Sequence, residues 1–276
     1  MSQITTSPLR QGNFTSSEIV ALTTSDKSGK NFGAPAKTYI AEKNLERLLG
    51  VSLYTEVEVF ALLWGKTMEE RIFNMPTFDP KCEYTITSDI TLKHPTIDFW
   101  AGSPDGFREI QERTIYDFKA PSTRKSFALL SLPTLAGLTG LEAMYAIRDG
   151  FVYKDINIPA HKDGAKYYWQ LVSNACITGC DYAELIAYMP FDSELLDIKN
   201  SVGDDDRFKW MLNKDIASLP DGGLFNNINV TRFKIPQADK DFLTERVLAA
   251  GELLINPLQM EHTFDIQAEK EAKISQ

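Results

Sequence analysis

The sequence predicts an α/β fold, a central sheet flanked by helices. Strand-like runs fall at 83–92, 96–102, 112–119, 182–189 and 229–235, bounded by turn residues. Helix-like runs precede, separate and follow them. The chain has 276 residues, 43% of them hydrophobic, which suffices for one full core in a decorated single domain spanning 1–276.

Taken in order, Thr15-Ser16-Ser17-Glu18 has the form of a capping box, with Thr15 as N-cap and Glu18 at N3, opening a helix through Leu22. Residues 25–33 read as a loop. Pro35 suits the first turn of a helix carrying Tyr39, Ile40, Leu45, Leu48 and Leu49, which Gly50 stops. A further helix or broken pair runs from Thr55 to Asn74. The strands at 83–92, 96–102 and 112–119 form a meander. Residues 126–148 make one or two helices around Gly137 and Gly140, and Ala165–Thr178 is a helix stopped by Gly179. After the strand at 182–189, Arg207–Ile216 is helical. Asn229–Ile235 is a strand, Pro236–Ile255 is a long helix, and the polar tail from Gln267 is frayed.

Charged residues make up 24% of the chain, an ordinary share for a soluble globular protein. No run approaches the roughly 18 apolar residues of a membrane span, and Met1 to Gly12 lacks the apolar core of a signal peptide. The three cysteines (Cys82, Cys176, Cys180) and three histidines (His94, His161, His262) form no C-x-x-C pair and support neither zinc nor an iron–sulfur cluster. A reducing cytoplasm is the expected compartment. The net charge of −9 argues against nucleic acid as a partner only globally, because phosphate contact is local. Arg10, Lys27, Lys30, Lys37, Lys66, Lys119, Arg124 and Lys125 suit a basic channel on an acidic body.

The informative motif is Ser103-Pro104-Asp105-Gly106 followed by Asp117-Phe118-Lys119. Proline and glycine mark a strand end or turn that exposes Asp105. The side-chain period of two on a strand puts Ile115, Asp117 and Lys119 on one face and Thr114, Tyr116 and Phe118 on the other. Twelve residues from Asp105 to Asp117 suit a hairpin or bent return that joins the two acids. Converging carboxylates repel unless a cation lies between them, and hard oxygen ligands favour Mg²⁺ or Mn²⁺. An adjacent lysine holds a water or hydroxide and offsets charge on a phosphate. An isolated D-x-K on a strand is more often a solvated edge or a cross-strand ion pair. Glu69 and Glu70 are about 100° apart on a helix, so only one can face such a site.

Two further segments add to the motif: Trp64-Gly65-Lys66-Thr67-Met68-Glu69 before it and Tyr167-Tyr168-Trp169-Gln170 after it. With Arg10-Gln11-Gly12-Asn13-Phe14-Thr15-Ser16-Ser17-Glu18, the chain resembles the lambda exonuclease/YqaJ-like family of phage recombination nucleases, within the PD-(D/E)XK superfamily. The resemblance covers residues 9 to 191 in scattered blocks, and the ordered five-part pattern is more specific than any one part. Asp117 stands where lambda exonuclease carries Glu, and either acid can ligate a metal.

The resemblance implies a restriction-endonuclease-like fold, a mixed central sheet flanked by helices. It implies Glu69, Asp105, Asp117 and the carbonyl of Phe118 as ligands of two Mg²⁺ ions. Lys119 would position the attacking water, and Gln170 would orient Lys119 or that water. Arg10 and Ser17 would form a pocket for a 5′-terminal phosphate. The implied activity is a 5′→3′ exonuclease on double-stranded DNA ends that leaves a 3′ single strand, in a ring-shaped trimer partnered by a single-strand annealing protein. The rival readings are a nuclease of other polarity or substrate, such as a single-strand exonuclease or an endonuclease, and a DNA-binding assembly factor on a decayed nuclease fold.

Overall fold

The computed structural model describes residues 8–53, 60–75, 78–81, 83–87, 90–201 and 216–256. Helix α1 (Ala34–Leu49) has Pro35 in its first turn and ends at Gly50, which takes the left-handed conformation that closes a helix (φ 69°). Helix α2 is Phe60–Phe73, and the start of the helix expected from Thr55 lies outside the described residues. Helices α3 (Arg124–Leu135) and α4 (Gly140–Asp149) are the two anticipated around Gly137. Helix α5 (Gly164–Thr178) ends at Gly179 as expected, followed by α6 (Leu195–Ser201) and α7 (Gln237–Gly251). The helix expected at 207–216 lies outside the described residues except for Ile216, which is not helical, and the tail from Gln267 also lies outside them.

Strand β1 is Phe14–Thr15, which corrects the capping-box expectation. Thr15 donates its N–H to the Tyr39 hydroxyl of α1 (2.8 Å), its Oγ1 lies against the Ser17 and Tyr39 hydroxyls, and the first helical turn begins only at Ile19 with no side-chain cap. The only helical residues there are a 3₁₀ turn at Ile19–Thr23. The expected meander divides into β2 (Tyr84–Ile86), β3 (Leu92–Lys93), β4 (Trp100–Gly102), β5 (Gly106–Arg108) and β6 (Thr114–Lys119). Here β5 is an addition, because Pro104 and Gly106 read as a strand end or turn with no further strand before 112. Gly106 is in fact a strand residue pressed against its neighbour, and a Cβ there would lie 1.9 Å from the Thr85 carbonyl oxygen. A second unanticipated element is the hairpin of β7 (Phe151–Tyr153) and β8 (Ile156–Ile158), turning through Lys154 and Asp155 at positive φ. Strands β9 (Tyr182–Tyr188) and β10 (Ile228–Lys234) match expectation within a residue.

The central sheet is mixed, in the order β10-β9-β6-β5-β2. Strands β6 and β9 are parallel, joined through α3, α4, the hairpin and α5, and the other pairs are antiparallel. A second sheet, β1-β4-β3, lies alongside in the chain's first half. Alternation along β6 and β9 divides the core. Ile115, Ala183, Leu185 and Ala187 pack with Tyr168, Leu171 and Val172 of α5 and Phe127 and Leu130 of α3. Tyr116, Phe118, Ile186 and Tyr188 pack with Leu63, Trp64, Met68 and Ile72 of α2. Asp117 and Lys119 share the phase of Ile115, so the fold directs them toward α5.

Candidate active site

The antiparallel β5–β6 register pairs Gly106 with Tyr116, so Asp105, one residue before β5, falls opposite Asp117. The hairpin return inferred from the twelve-residue spacing is therefore present. Asp105 is half-buried rather than exposed, and its Oδ2 accepts the Phe118 N–H (2.6 Å). Asp117 is fully buried. Its Oδ1 accepts from Gln170 Nε2 (2.8 Å), and its Oδ2 lies 2.6 Å from Lys119 Nζ. Helix α5 thus presents Gln170 to Asp117. Three residues earlier on the same helix face, Tyr167 lies under the Lys119 ammonium, whose Nζ is 5.0 Å from the ring centroid.

The electrostatics follow from two acids in a partly dry setting. Burial, then the Asp117 charge, raises the Asp105 carboxyl well above the usual carboxylate value. Glu69 adds to the rise, while Lys119 and the Phe118 N–H oppose it. Burial alone would lower the Lys119 ammonium, but Asp117 and Asp105 outweigh it and raise it above the ordinary lysine value, so Lys119 stays charged.

Glu69 lies on α2 and is half-buried, whereas Glu70 is exposed. Its charge reaches both Asp105 and the buried Tyr116 phenol, which burial, Asp105 and Glu69 push up. The helix phase turns Glu69 rather than Glu70 toward the acids. Among the described residues, no three His, Cys, Asp or Glu side chains close into a metal-holding group. The donor chemistry still fits a hard cation, since Asp105 and Asp117 bring two carboxylates against one ammonium. Phe118 keeps its ring in the α2-side core and contributes only backbone to this region.

Arg10 and Ser17 do meet, with Arg10 Nη2 donating to Ser17 Oγ at 3.2 Å. Their scaffold is not the expected helix start. Glu46 of α1 accepts the Gly12 N–H (2.8 Å), and β1 runs parallel to β4, with the Ser16 N–H bonded to the Ala101 carbonyl (3.0 Å). Ser16 Oγ also lies 2.8 Å from Ser173 Oγ of α5. The pair is therefore tied to the strand that ends three residues before Asp105 and to the helix that carries Gln170. Sequence reasoning assigned no role to Tyr167 or to His161, whose ring stacks on it (centroids 5.4 Å apart, 29° between planes). The available signal for Tyr167 was its spacing, three residues before Gln170.

No family model and no curated protein matches the sequence. Solved structures do. The chain is similar to LHK-Exo in complex with dAMP, at a TM-score of 0.53 and 18% identity over 97% of each chain. It is also similar to that alkaline exonuclease from Laribacter hongkongensis at a TM-score of 0.51 and 18% identity, over 96% of each chain. A phage-related exonuclease from Haemophilus somnus gives a TM-score of 0.55 and 16% identity, over 89% of this chain and 94% of that one. Likeness at such identity establishes the fold, a mixed sheet flanked by helices, as the one these exonucleases have.

Proposed function

We propose that this protein is a Mg²⁺-dependent 5′→3′ exonuclease that degrades one strand of double-stranded DNA from its end. The observation that carries the reading is the packing of Asp105, Asp117 and Lys119 at one end of the β5–β6 hairpin, with Gln170 bonded to Asp117. Asp105, Asp117, Glu69 and the Phe118 carbonyl would hold the metal. Bound Mg²⁺ supplies a water of lowered pKa and charge stabilisation at the phosphate. Lys119 orients that water or offsets phosphate charge, while Gln170 fixes the rotamer of Asp117. Arg10 and Ser17 present a guanidinium and a hydroxyl to a 5′-terminal phosphate, a charge-assisted contact.

The similarity to an exonuclease solved with dAMP supports mononucleotide release. By resemblance, the product is a 3′ single strand delivered to an annealing protein, and the enzyme is a trimer. Duplex labelled at the 5′ or the 3′ end tests the reading. With Mg²⁺ (or Mn²⁺ in its place), the 5′ label should leave as mononucleotide while the 3′ label stays on a shortening strand, and EDTA should stop both. Internal cuts, or cleavage without a divalent cation, would overturn it. Sedimentation at the mass of one chain would remove the trimer alone.

A further inference from the structure

Lys119 has a neighbour that the proposed chemistry does not use. Tyr167 and Gln170 occupy one face of α5, three residues apart, and meet Lys119 and Asp117, two apart on β6. The helix thus grips both motif residues. An ammonium has three donors, and Asp117 engages Lys119 at 2.6 Å. An amide or carboxylate at position 167 would consume a second donor. An aromatic face attracts the charge through its quadrupole and takes no hydrogen bond from it, which leaves donors for water or phosphate. Burial pushes the Tyr167 phenol up to about 12, so the ring carries no charge at neutral pH.

Tyr167 is held in turn by His161, which is buried between α3, α4 and α5. His161 Nδ1 accepts the Asp163 N–H (3.1 Å) and so bears no proton. Its Nε2 lies 2.6 Å from Ser126 Oγ and carries the proton toward it, and the His161 N–H bonds the Ile147 carbonyl (2.9 Å). Burial and the neighbouring Lys162 favour the neutral imidazole, and Asp163 opposes them more weakly than burial does. A neutral ring stacked on Tyr167 fixes it without bringing a second cation to the platform.

We infer that Tyr167 is a positioning residue that holds the Lys119 ammonium on its ring, and that His161, anchored by Ser126, holds Tyr167. The inference rests on the nuclease reading of Lys119. Loss of the ring contact should lower kcat by about 2- to 30-fold, the range of cation–π attraction, and leave KM for DNA unchanged. The test is steady-state digestion of a 5′-phosphorylated duplex with Mg²⁺, alongside thermal melting, for Tyr167→Phe, Tyr167→Leu and His161→Leu. Tyr167→Phe should keep wild-type kcat, Tyr167→Leu should show the loss, and His161→Leu should show a smaller one. In the Lys119→Ala background, with residual rates read at high enzyme concentration, Tyr167→Leu should add nothing. If melting shows Tyr167→Leu unfolded, Tyr167→Met replaces it. An undiminished Tyr167 effect without Lys119, or equal losses for Phe and Leu, would overturn the inference. Wild-type kcat in Tyr167→Leu beside an inactive Lys119→Ala would overturn it alone, full activity in Lys119→Ala would overturn it by removing Lys119 from the site, and absence of Mg²⁺-dependent digestion by the wild type would overturn the nuclease reading itself.

Discussion

The two faces of β6 are built from alternate residues of one six-residue strand, yet they bury opposite chemistry. Toward α2 lie Tyr116 and Phe118, packed on Trp64, Met68, Ile72 and Phe73 with ring centroids of Phe73 at 5.2 and 6.0 Å. Toward α5 lie Asp117 and Lys119, each with a polar or aromatic partner from that helix. Dispersion and burial hold the first face and gain from every added contact. The second face buries charge, which gains stability only to the extent that partners offset desolvation. The lesson is a division of labour: the apolar face fixes the strand, so that the polar face can keep acids crowded together.

The comparison breaks first at its polar face. Asp105→Ala, Asp117→Ala and Lys119→Ala should each cut Mg²⁺-dependent cleavage on the order of 10²- to 10³-fold or more, with the fold retained by circular dichroism. Near-wild-type turnover in any of them would remove that residue from the site. On the apolar face, Ile186→Ala should cost about 2–5 kcal/mol, read as a lower urea midpoint, because the buried side chain leaves a cavity beside Tyr116 and Phe118. If Ile186→Ala costs activity and no stability, the division between faces is wrong.

Smaller effects sharpen the comparison at its margins. Arg10→Ala should lose roughly 10- to 150-fold on 5′-phosphorylated duplex and become indifferent to the phosphate. Ser17→Ala should act in the same direction but less. Equal wild-type rates on 5′-phosphate and 5′-hydroxyl ends would dismiss the pocket. Glu69→Gln should cost about 10- to 100-fold and Glu70→Gln little, since Glu69 faces Asp105 and Glu70 faces solvent. The reverse ranking would mean that α2 is rotated in the working enzyme.

The smallest effect is on stability against pH. The Asp105 carboxyl is raised in the folded protein, so the folded state holds its proton more tightly than the unfolded chain. Its contribution to stability is fully present below the ordinary carboxylate value and is lost as pH rises through the raised one. Melting temperature without divalent cation should therefore fall over that window in wild type, and the fall should flatten in Asp105→Asn. Parallel curves for the two proteins would show that neither burial nor the Asp117 charge raises the Asp105 carboxyl in the folded state.

Much of this was legible in the residues. The alternation of 114–119 set the faces of β6, and glycines 50 and 179 ended their helices where local backbone preference required. The pairing of Asp105 with Asp117 followed from their spacing, and the motif order named Gln170 and the Arg10–Ser17 pair. These are short-range properties: side-chain period, backbone freedom and hydrogen-bonding capacity reside in a few neighbouring residues. Other features were decided only by the tertiary structure. Thr15 left its cap position for a strand because β4 pairs with it at Ala101, 86 residues away in sequence, and Tyr39, 24 residues away, accepts its N–H. Gly106 joined a strand because the Thr85 backbone approaches too closely for any side chain. Tyr167 met Lys119 because α5 packs on the sheet in one register. Each of these outcomes depends on which distant surfaces are buried together, and local sequence carries no record of that choice.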